Sequence, residues 1–494
     1  MCADDINTDE QASDERRICS GCVGDSFLNA QIDATGTEAK CSYCDSEGKT
    51  FTIEEMANRI EKAFEDHYDR TAADPDGFES AMLSDKESDY EWERHGEEVL
   101  WAIAGAAEIE EEPAKDILSV LEERHSDFEA AQMGEECPFA SDSYYESKPL
   151  ACDEYLEKWN RFEQGLKAEA RFFNREAQAA LDEIFADLST LTTTAGRPVV
   201  ATIGPNTTVP HLHRARVFAA DDEKLEEALG KPWNGLGPPP MLAATSGRMN
   251  ARGVSVFYGA VEPDTALAEV RPPVGSQVAV AKFEVARPLR LLDVEALRTV
   301  RAVGSIFDPT YLGKARLAQF METLSSRIIR PVMPNEEAFE YLATQAIADY
   351  LASESKLDGI IFPSIQTGHA ASNVVLFHHA SRVEDIQLPK GTKIDVSLYS
   401  RDEDGFHPDY CVWEEVPPSK PAPSATTNLL PTFDIAPDGQ QNYDLYDTRQ
   451  PSLKINLESI TVRHVTAVKF TTTDYEVLRR RSERQDEREE SPEF

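Results

Sequence analysis

The hydrophobic periodicity of this 494-residue chain changes near residue 191, and this change constrains its fold more than any other feature. Before that point, apolar residues recur every three or four positions, as they do on one face of an α-helix. After it, short apolar and β-branched runs are separated by glycine and proline, a pattern typical of strands. A chain of this length can bury more than one core, so we expect several domains of different class.

The part before residue 191 is predicted to be mostly helical. Thr52 and Glu55 form a T-x-x-E capping box, and the apolar stripe that follows it predicts a helix. Further helical patterns cover three stretches: residues 97–109, residues 114–131 and, as one long helix or a helix pair, residues 153–188. We therefore predict an all-α domain over residues 51–190.

The part after residue 191 is predicted to be an α+β domain over residues 195–400. Seven segments have the composition of strands: 198–203, 212–218, 254–258, 278–285, 289–292, 359–362 and 374–377. Three segments between them have helical patterns: 265–270, 311–328 and 336–351. The alternation of the two kinds of segment predicts a mixed fold.

The ends of the chain differ from these domains in composition. Residues 1–17 and 481–494 are polar and charged, which predicts disorder. A C-terminal extension, residues 401–480, contains a Pro-rich segment at 415–439, which we interpret as a linker or a long surface loop. Its later part predicts one or two strands within 453–470 and a short helix at 474–481.

Two tight cysteine pairs near the N-terminus predict a metal site within residues 18–50. The pairs are C-S-G-C, with Cys19 and Cys22, and C-S-Y-C, with Cys41 and Cys44, eighteen residues apart. Two such knuckles can place four thiolates tetrahedrally around one zinc ion. All four positions are cysteine, so we predict a structural zinc in a small zinc-ribbon-like fold. The alternatives are a reduced thiol set and a redox pair.

The charge of the chain limits the classes of partner that it can be expected to bind. Residues 1–200 hold 49 acidic and 18 basic side chains, whereas the other 294 hold 41 and 31. An acidic surface repels phosphate backbones, so we do not expect nucleic acid as a partner. No apolar run is long enough to span a membrane, and the N-terminus lacks the pattern of a secretory signal. We therefore expect a cytoplasmic protein without a membrane partner.

Three blocks of the second half contain residues that suit a binding or catalytic site. Arg214 and Arg216 occupy alternate positions of a predicted strand, so they share a face that could bind an anion or form surface salt bridges. Glu269 lies on an apolar helix, where a carboxylate is exposed, paired or used in chemistry. Ser364 follows a strand and a proline, a position that suits either a ligand contact or a turn.

Together the three blocks resemble the RES domain family, over roughly residues 195–385. The carriers of the resemblance are the turn GRMNARG at 247–253, the segment VFYGAVEPDTALAEVR at 256–271, and DGIIFPS at 358–364 followed by NVVLF at 373–377. The family arginine could be Arg214 or Arg216, and Arg214 fits better because it follows His213. The helical domain resembles the HEPN-like module often fused to RES domains. It lacks the R-x4-6-H motif of HEPN ribonucleases, which argues against RNA cleavage.

The resemblance implies an ADP-ribosyltransferase-like fold that cleaves the nicotinamide–ribose bond of NAD, as a glycohydrolase or a phosphorylase. The implied catalytic residues are Arg214, Tyr258, Glu269 and Ser364. The implied NAD-binding residues are Arg214, Arg216, Arg248, Tyr258 and Asn373. In this view Glu269 stabilises the ribosyl cation, the arginines bind the pyrophosphate, Tyr258 stacks on nicotinamide or ribose, and Ser364 hydrogen-bonds one of these groups.

The resemblance also implies a biological setting. Such enzymes act as toxins, in toxin–antitoxin pairs or in antiphage defence, so we expect NAD depletion, an antitoxin or regulatory partner, and a homo-oligomer. Two alternatives stay open from the sequence. The chain could transfer ADP-ribose to a macromolecule, or it could be a non-catalytic scaffold protein with a decayed pocket.

Overall fold

The structure is a computed structural model that describes residues 16–85, 88–126, 136–368, 371–403, 405–418 and 447–481. The segments predicted to be disordered lie almost entirely outside the described residues. Most of the predicted Pro-rich linker also lies outside them, as does the end of the helix predicted at 114–131. No helix of the described part has both the length and the apolar character that crossing a membrane requires.

The N-terminal segment folds as a small three-stranded sheet with one helix. Its strands run antiparallel in the order β1-β3-β2, and its helix α1 begins after Asp25, whose carboxylate accepts hydrogen bonds from the first turn. The elements are β1 (Arg17–Cys19), α1 (Ser26–Thr35), β2 (Thr37–Lys40) and β3 (Glu47–Thr52). The four clustered cysteines lie at the end of β1, in the turn after it, and in the turn between β2 and β3.

Within the described residues up to 126, four helices follow this segment: α2 (Ile53–His67), α3 (Gly77–Ser84), α4 (Val99–Ala107) and α5 (Glu111–His125). The predicted capping box is confirmed, because Thr52 and Glu55 bond to each other's backbone N–H groups at the start of α2. The all-α prediction needs a correction. Three short strands, β4 (Tyr68–Arg70), β5 (Glu97–Glu98) and β6 (Tyr144–Ser147), form a second sheet. With two to four residues each, they are too short to show an alternating pattern.

The sequence analysis grouped residues 153–188 with the helices before them. In the structure, α6 (Asp153–Gln164) and α7 (Arg175–Phe185) pack in the core of the second half instead. Trp159 and Phe162 of α6, with Ile184 of α7, pack against Phe320 and Ile347 of the following domain. The helices α2, α4 and α5 share a separate core around Ile60, Ile103 and Ile117. Periodicity shows which face of a helix is buried but not what covers it, so the sequence could not assign this pair.

The second half is built around one mixed sheet of eight strands. Its order is β16-β10-β8-β9-β13-β12-β11-β7, with β11 and β12 parallel and all other neighbours antiparallel. The remaining two strands, β14 and β15, form a separate hairpin. The bounds are β7 (Val200–Ile203), β8 (His211–Ala219), β9 (Phe257–Ala260), β10 (Gln277–Val285), β11 (Leu289–Asp293), β12 (Gly359–Pro363), β13 (Ser372–Leu376), β14 (Lys393–Asp402), β15 (Gly405–Glu415) and β16 (Leu453–His464).

Six further helices connect these strands: α8 (Asp222–Gly230), α9 (Pro232–Gly235), α10 (Pro263–Glu269), α11 (Val294–Leu297), α12 (Tyr311–Ile329) and α13 (Glu337–Ser353). The sheet is covered on both faces. In β13, Val374 and Leu376 pack in the core that includes α8, whereas Val375 packs in the core with α12 and α13. Burial on both faces explains why the central strands β12 and β13 contain uninterrupted apolar runs.

The C-terminal extension departs from its prediction in two ways. Strand β16 pairs with β10 at the edge of the central sheet, so this part of the extension completes the second domain. The helix predicted at 474–481 does not form: residues 465–481 contain no helix or strand and are exposed almost throughout. A helix of eight residues without a packed apolar face is not stable in water.

Strands β8 and β9 diverge in the middle of the sheet. They form one residue pair, His213 with Ala260, whereas β8 and β10 pair over their whole length. Beyond that pair the two strands separate, and α10 follows β9 directly. The separation leaves a space beside the sheet where side chains of several elements meet.

Candidate active site

A cavity of about 460 Å³ lies where β8 and β9 separate. Its walls come from β8, β9, the segment before β9, α10, the connection between α12 and α13, and the β12–β13 turn. Arg214, Arg248, Tyr258, Glu269 and Asn373 line it, together with residues that the sequence did not single out. The cavity is large enough for a small organic ligand.

Glu269, the last residue of α10, is held by two donors, one directly after β12 and one on β13. The Ser364 hydroxyl donates to Oε1 of Glu269 over 2.6 Å, and Nδ2 of Asn373 donates to the same oxygen over 2.7 Å. Ser364 is fully buried, and Asn373 is 5% exposed. Among the described residues, no donor reaches Oε2. The carboxylate is therefore fixed through one oxygen and keeps the other for a ligand.

The pairing of β12 with β13 explains this geometry. Phe362 is opposite Asn373, so Ser364, two residues later, lies beside it at the end of the sheet. Helix α10 then brings Glu269 over both side chains. A carboxylate in an apolar helix can be exposed, paired or used in chemistry. In the structure, Glu269 is partly buried and hydrogen-bonded, and it is not turned into solvent.

Arg214 lies on β8, where this strand separates from β9. Its Nη1 donates to the Tyr258 oxygen over 2.8 Å, and its guanidinium carbon lies 5.3 Å from the Phe257 ring centre. Its Nε is buried and has no acceptor in the described structure. Burial, and then the charge of Arg216, lower the pKa of Arg214 to about 10, so it stays cationic at neutral pH. A cationic guanidinium that lines a cavity suits an anionic ligand.

Tyr258 anchors the segment that forms one wall of the cavity. Its hydroxyl accepts from the Met249 N–H over 3.0 Å and donates to Oδ1 of Asn250 over 2.8 Å. Burial raises the pKa of Tyr258 to about 12. Gly247 is required beside it, because a Cβ there would lie 2.6 Å from the Tyr258 hydroxyl. The hydroxyl is thus engaged within the protein, and the ring of Tyr258 lines the cavity.

The two other predicted arginines are engaged elsewhere. Arg248 lines the cavity, but its guanidinium donates to the carbonyl oxygens of Ile328 and Arg330 at the end of α12, over 2.6 and 2.9 Å. Burial lowers its pKa. Arg216 does not line the cavity, and it bonds the Gly235 carbonyl instead. Of the two candidates for the family arginine, the geometry favours Arg214.

Several cavity residues escaped the sequence analysis. Tyr341 and Glu337 of α13 form one wall, and the Tyr341 ring centre lies 5.2 Å from the Arg248 guanidinium carbon. Arg271, just after α10, is exposed and also lines the cavity. The α13 residues carried no signal, because they belong to an ordinary helical pattern. Arg271 was part of the matched segment but had no apparent role there.

The four N-terminal cysteines form a separate cluster whose Sγ atoms all lie within 4.8 Å of one another. Individual separations are 3.8 Å for Cys19–Cys22, 3.5 Å for Cys19–Cys44 and 3.9 Å for Cys22–Cys41. Zinc–sulfur bonds of about 2.3 Å in a tetrahedron place sulfurs roughly 3.8 Å apart. The donor set and its spacing therefore fit zinc, as the two knuckles predicted.

Comparison with known families assigns part of this chain. The family model of the RES domain matches residues 211–397. This match confirms the resemblance that the three sequence blocks predicted, and every residue that lines the cavity lies within it. No curated protein matches the chain.

Proposed function

We propose that this chain cleaves the bond between nicotinamide and ribose in NAD. The observation that carries the proposal is Glu269, held by Ser364 and Asn373 inside the cavity of the RES domain. When this bond breaks, its electrons leave with the nicotinamide nitrogen and positive charge builds on the ribose. A fixed carboxylate beside the sugar stabilises that charge more than it stabilises the bound substrate.

The other residues of the cavity would position the dinucleotide. Arg214 lines the cavity and would offer its guanidinium to a phosphate oxygen, and the Tyr258 ring offers a flat surface to nicotinamide or ribose. The separated strands β8 and β9 give this domain the cleft that an ADP-ribosyltransferase-like fold would use. Oxygen from water or from inorganic phosphate would then bond to the ribose carbon and complete the reaction.

We further propose that zinc bound by Cys19, Cys22, Cys41 and Cys44 stabilises the N-terminal fold and takes no part in the chemistry. The protein would act in the cytoplasm, where loss of NAD makes it a toxin or an antiphage effector. Its activity would need restraint by an antitoxin or by its own N-terminal domains. The acidic surface of those domains supports a role in protein contacts more than in nucleic acid binding.

Incubation of the purified chain with NAD, with and without phosphate, tests the function. We expect free nicotinamide together with ADP-ribose, or its 1-phosphate, measured by chromatography. Glu269→Gln should lower kcat/KM by about 10³-fold, because the ribosyl cation loses its counter-charge. Glu262→Gln, an exposed change at the start of the same helix, is the matched control and should keep full activity.

Two outcomes would contradict the proposal. Near-normal turnover by a folded Glu269→Gln variant would remove Glu269 from the mechanism. Transfer of labelled ADP-ribose to protein or nucleic acid, without free product, would identify a macromolecular transferase instead.

A further inference from the structure

Arg271 is a cavity residue whose guanidinium has no partner. It lies two residues after Glu269, its side chain is exposed at the cavity, and no carboxylate of the described residues is within 4 Å of its nitrogen atoms. No hydrogen bond from its guanidinium to the described part of the chain is formed either. Its backbone N–H closes the end of α10 by donating to the Ala268 carbonyl over 3.1 Å.

The backbone of Arg271 is in the left-handed region, with φ of +43°. Glycine or asparagine usually occupies this position after a helix, because a Cβ is strained there. The turn itself therefore does not require arginine, and glycine would close the helix with less strain. Strained residues of this kind are concentrated at functional sites, where the surroundings hold them in place. The strained backbone aims a long cationic side chain at the cavity.

The other cavity arginines are already partly or fully engaged. Arg248 gives both terminal nitrogens to carbonyl groups of the α12 end, and Arg214 gives one of its nitrogens to Tyr258. A dinucleotide carries two negatively charged phosphates. One buried guanidinium would therefore leave part of the negative charge of the dinucleotide without a cationic partner. Arg271 is the guanidinium at this cavity whose donors are all free among the described residues.

We propose that Arg271 binds a phosphate group at the mouth of the cavity, an inference that rests on the proposed NAD chemistry. The phosphate has two possible sources, the pyrophosphate of NAD or inorganic phosphate that serves as the acceptor. Both present the oxygen geometry that a guanidinium pairs with. In either case Arg271 is a binding residue, distinct from Glu269, which faces the ribose.

Calorimetric titration in a Glu269→Gln background tests this role without turnover. Three probes are compared: NAD, nicotinamide riboside, which has no phosphate, and inorganic phosphate. Arg271→Ala should weaken NAD binding at least tenfold and leave nicotinamide riboside unchanged if the pyrophosphate is the ligand. If the acceptor is the ligand, the loss should appear with inorganic phosphate alone. Arg271→Lys should restore part of the affinity in either case.

Two controls separate loss of the contact from damage to the fold. Arg271→Gly removes the guanidinium and relieves the positive φ, so it should lose affinity while its melting temperature is unchanged or higher. Arg252→Ala removes an exposed arginine that does not line the cavity, and it should bind every probe as the parent does.

The outcomes distinguish this inference from the proposed function. Normal binding of both NAD and phosphate by Arg271→Ala would overturn the inference, even if the wild-type chain cleaves NAD. An equal loss for nicotinamide riboside would also overturn it, because the effect would then not depend on phosphate. A wild-type chain that binds NAD through Arg271 but never releases nicotinamide would overturn the proposed function alone. Failure of the Glu269→Gln background to bind any of the probes would contradict both.

Discussion

Ser364 and Asn373 each donate a hydrogen bond to the same oxygen of Glu269, so the contribution of each donor to holding the carboxylate can be compared. Both side chains are buried, Ser364 directly after β12 and Asn373 on β13, and both bonds end on a carboxylate. Hydrogen bonds to a charged group contribute about 1.5–3 kcal/mol each. The two donors fix the position of the carboxylate beside the space that the ribose would occupy.

Removal of the Ser364 hydroxyl should lower the rate without changing the fold. We expect Ser364→Ala to reduce kcat about 10- to 100-fold, because Oε1 of Glu269 loses one of its two donors. Steady-state kinetics of nicotinamide release measure the effect. Ser372→Ala, at the start of β13, is the matched control and should retain normal kcat. Equal activities of the two variants would show that the Ser364 contact has no catalytic importance.

Several elements cooperate to shape the cavity. The separation of β8 from β9 opens it, and the Arg214 guanidinium on β8 donates to the Tyr258 carbonyl on β9. The segment before β9 is held by Tyr258 and by Asn250, whose Nδ2 donates to three backbone carbonyls. The cavity wall is therefore a hydrogen-bonded turn and not a loose loop.

Gly247→Ala should disrupt this turn. The new Cβ would lie 2.6 Å from the Tyr258 hydroxyl and 2.7 Å from Oδ1 of Asn250, so the pair must move apart. We expect a loss of about 1–3 kcal/mol in unfolding free energy and a raised KM, measured by denaturant titration and kinetics. Gly313→Ala in α12, where an added Cβ meets nothing, should be neutral or stabilising. A neutral Gly247→Ala would contradict the tight packing of this wall.

The approach to β16 carries a pH-dependent ion pair. Asp447 accepts from Arg449, and this hydrogen bond, opposed by partial burial, lowers the pKa of Asp447 to about 2. Because the folded pKa lies below the usual 3.8, the pair stabilises the fold above that pH, and its contribution is lost as the pH falls to about 2.

The variant Asp447→Asn therefore has a specific expected pH profile. Denaturant titrations from pH 2 to 6 should show it less stable than wild type at pH 5 to 6, with the difference vanishing toward pH 2. A difference that is constant over this range would show that the carboxylate charge is not what stabilises the segment.

At the scale of the whole molecule, the N-terminal and RES domains are joined by a short arm before α12. Phe307 packs against the N-terminal core, and the Ser305 hydroxyl donates to Asp25 over 3.0 Å. Helix α12 then runs from this arm to the cavity, where Arg248 binds its last carbonyls. One helix thus connects the N-terminal domains to the candidate active site.

Phe307→Ala should alter the candidate active site although Phe307 does not line the cavity. We expect a stability loss of about 2 kcal/mol at the domain contact and an altered KM for NAD, because α12 loses its anchor. Calorimetric unfolding and kinetics measure the two effects. Val303→Ala is the control, because Val303 lies in the same arm and is 83% exposed. Unchanged kinetics despite a weakened contact would mean that the domains act independently.

Removal of zinc should unfold the N-terminal segment. Metal analysis is expected to find one zinc per chain. A strong chelator or Cys41→Ser should lower the first unfolding transition, because the metal would link the end of β1 to the β2–β3 turn. Cys411→Ser, outside the cluster, should leave metal content unchanged. A chain that folds without metal and retains its melting profile would contradict the structural role.

Local patterns were sufficient for most elements of this fold. All seven predicted strands and the three helices among them are present, with ends that differ by up to three residues, because periodicity and capping depend on neighbouring residues alone. The elements that were not predicted include the short N-terminal strands β1–β6, the helices α1, α3, α8, α9 and α11, and the strands β14 and β15. Residues such as Tyr399 and Trp413 stay exposed in the hairpin, so it shows no clear alternation of buried and exposed positions.

The sequence by itself determined most of the element types in residues 195–400, the cysteine cluster and the residues that the RES blocks bring forward. Only the tertiary structure decided how these residues are used. It directs Arg214 to the cavity, Arg248 to a helix end and Arg216 to the Gly235 carbonyl. The physical reason is that a guanidinium pairs with whichever acceptors its surroundings present, and those acceptors come from segments distant in the chain. Arg271 shows the same limit, since its free donors become visible only when the whole cavity is assembled.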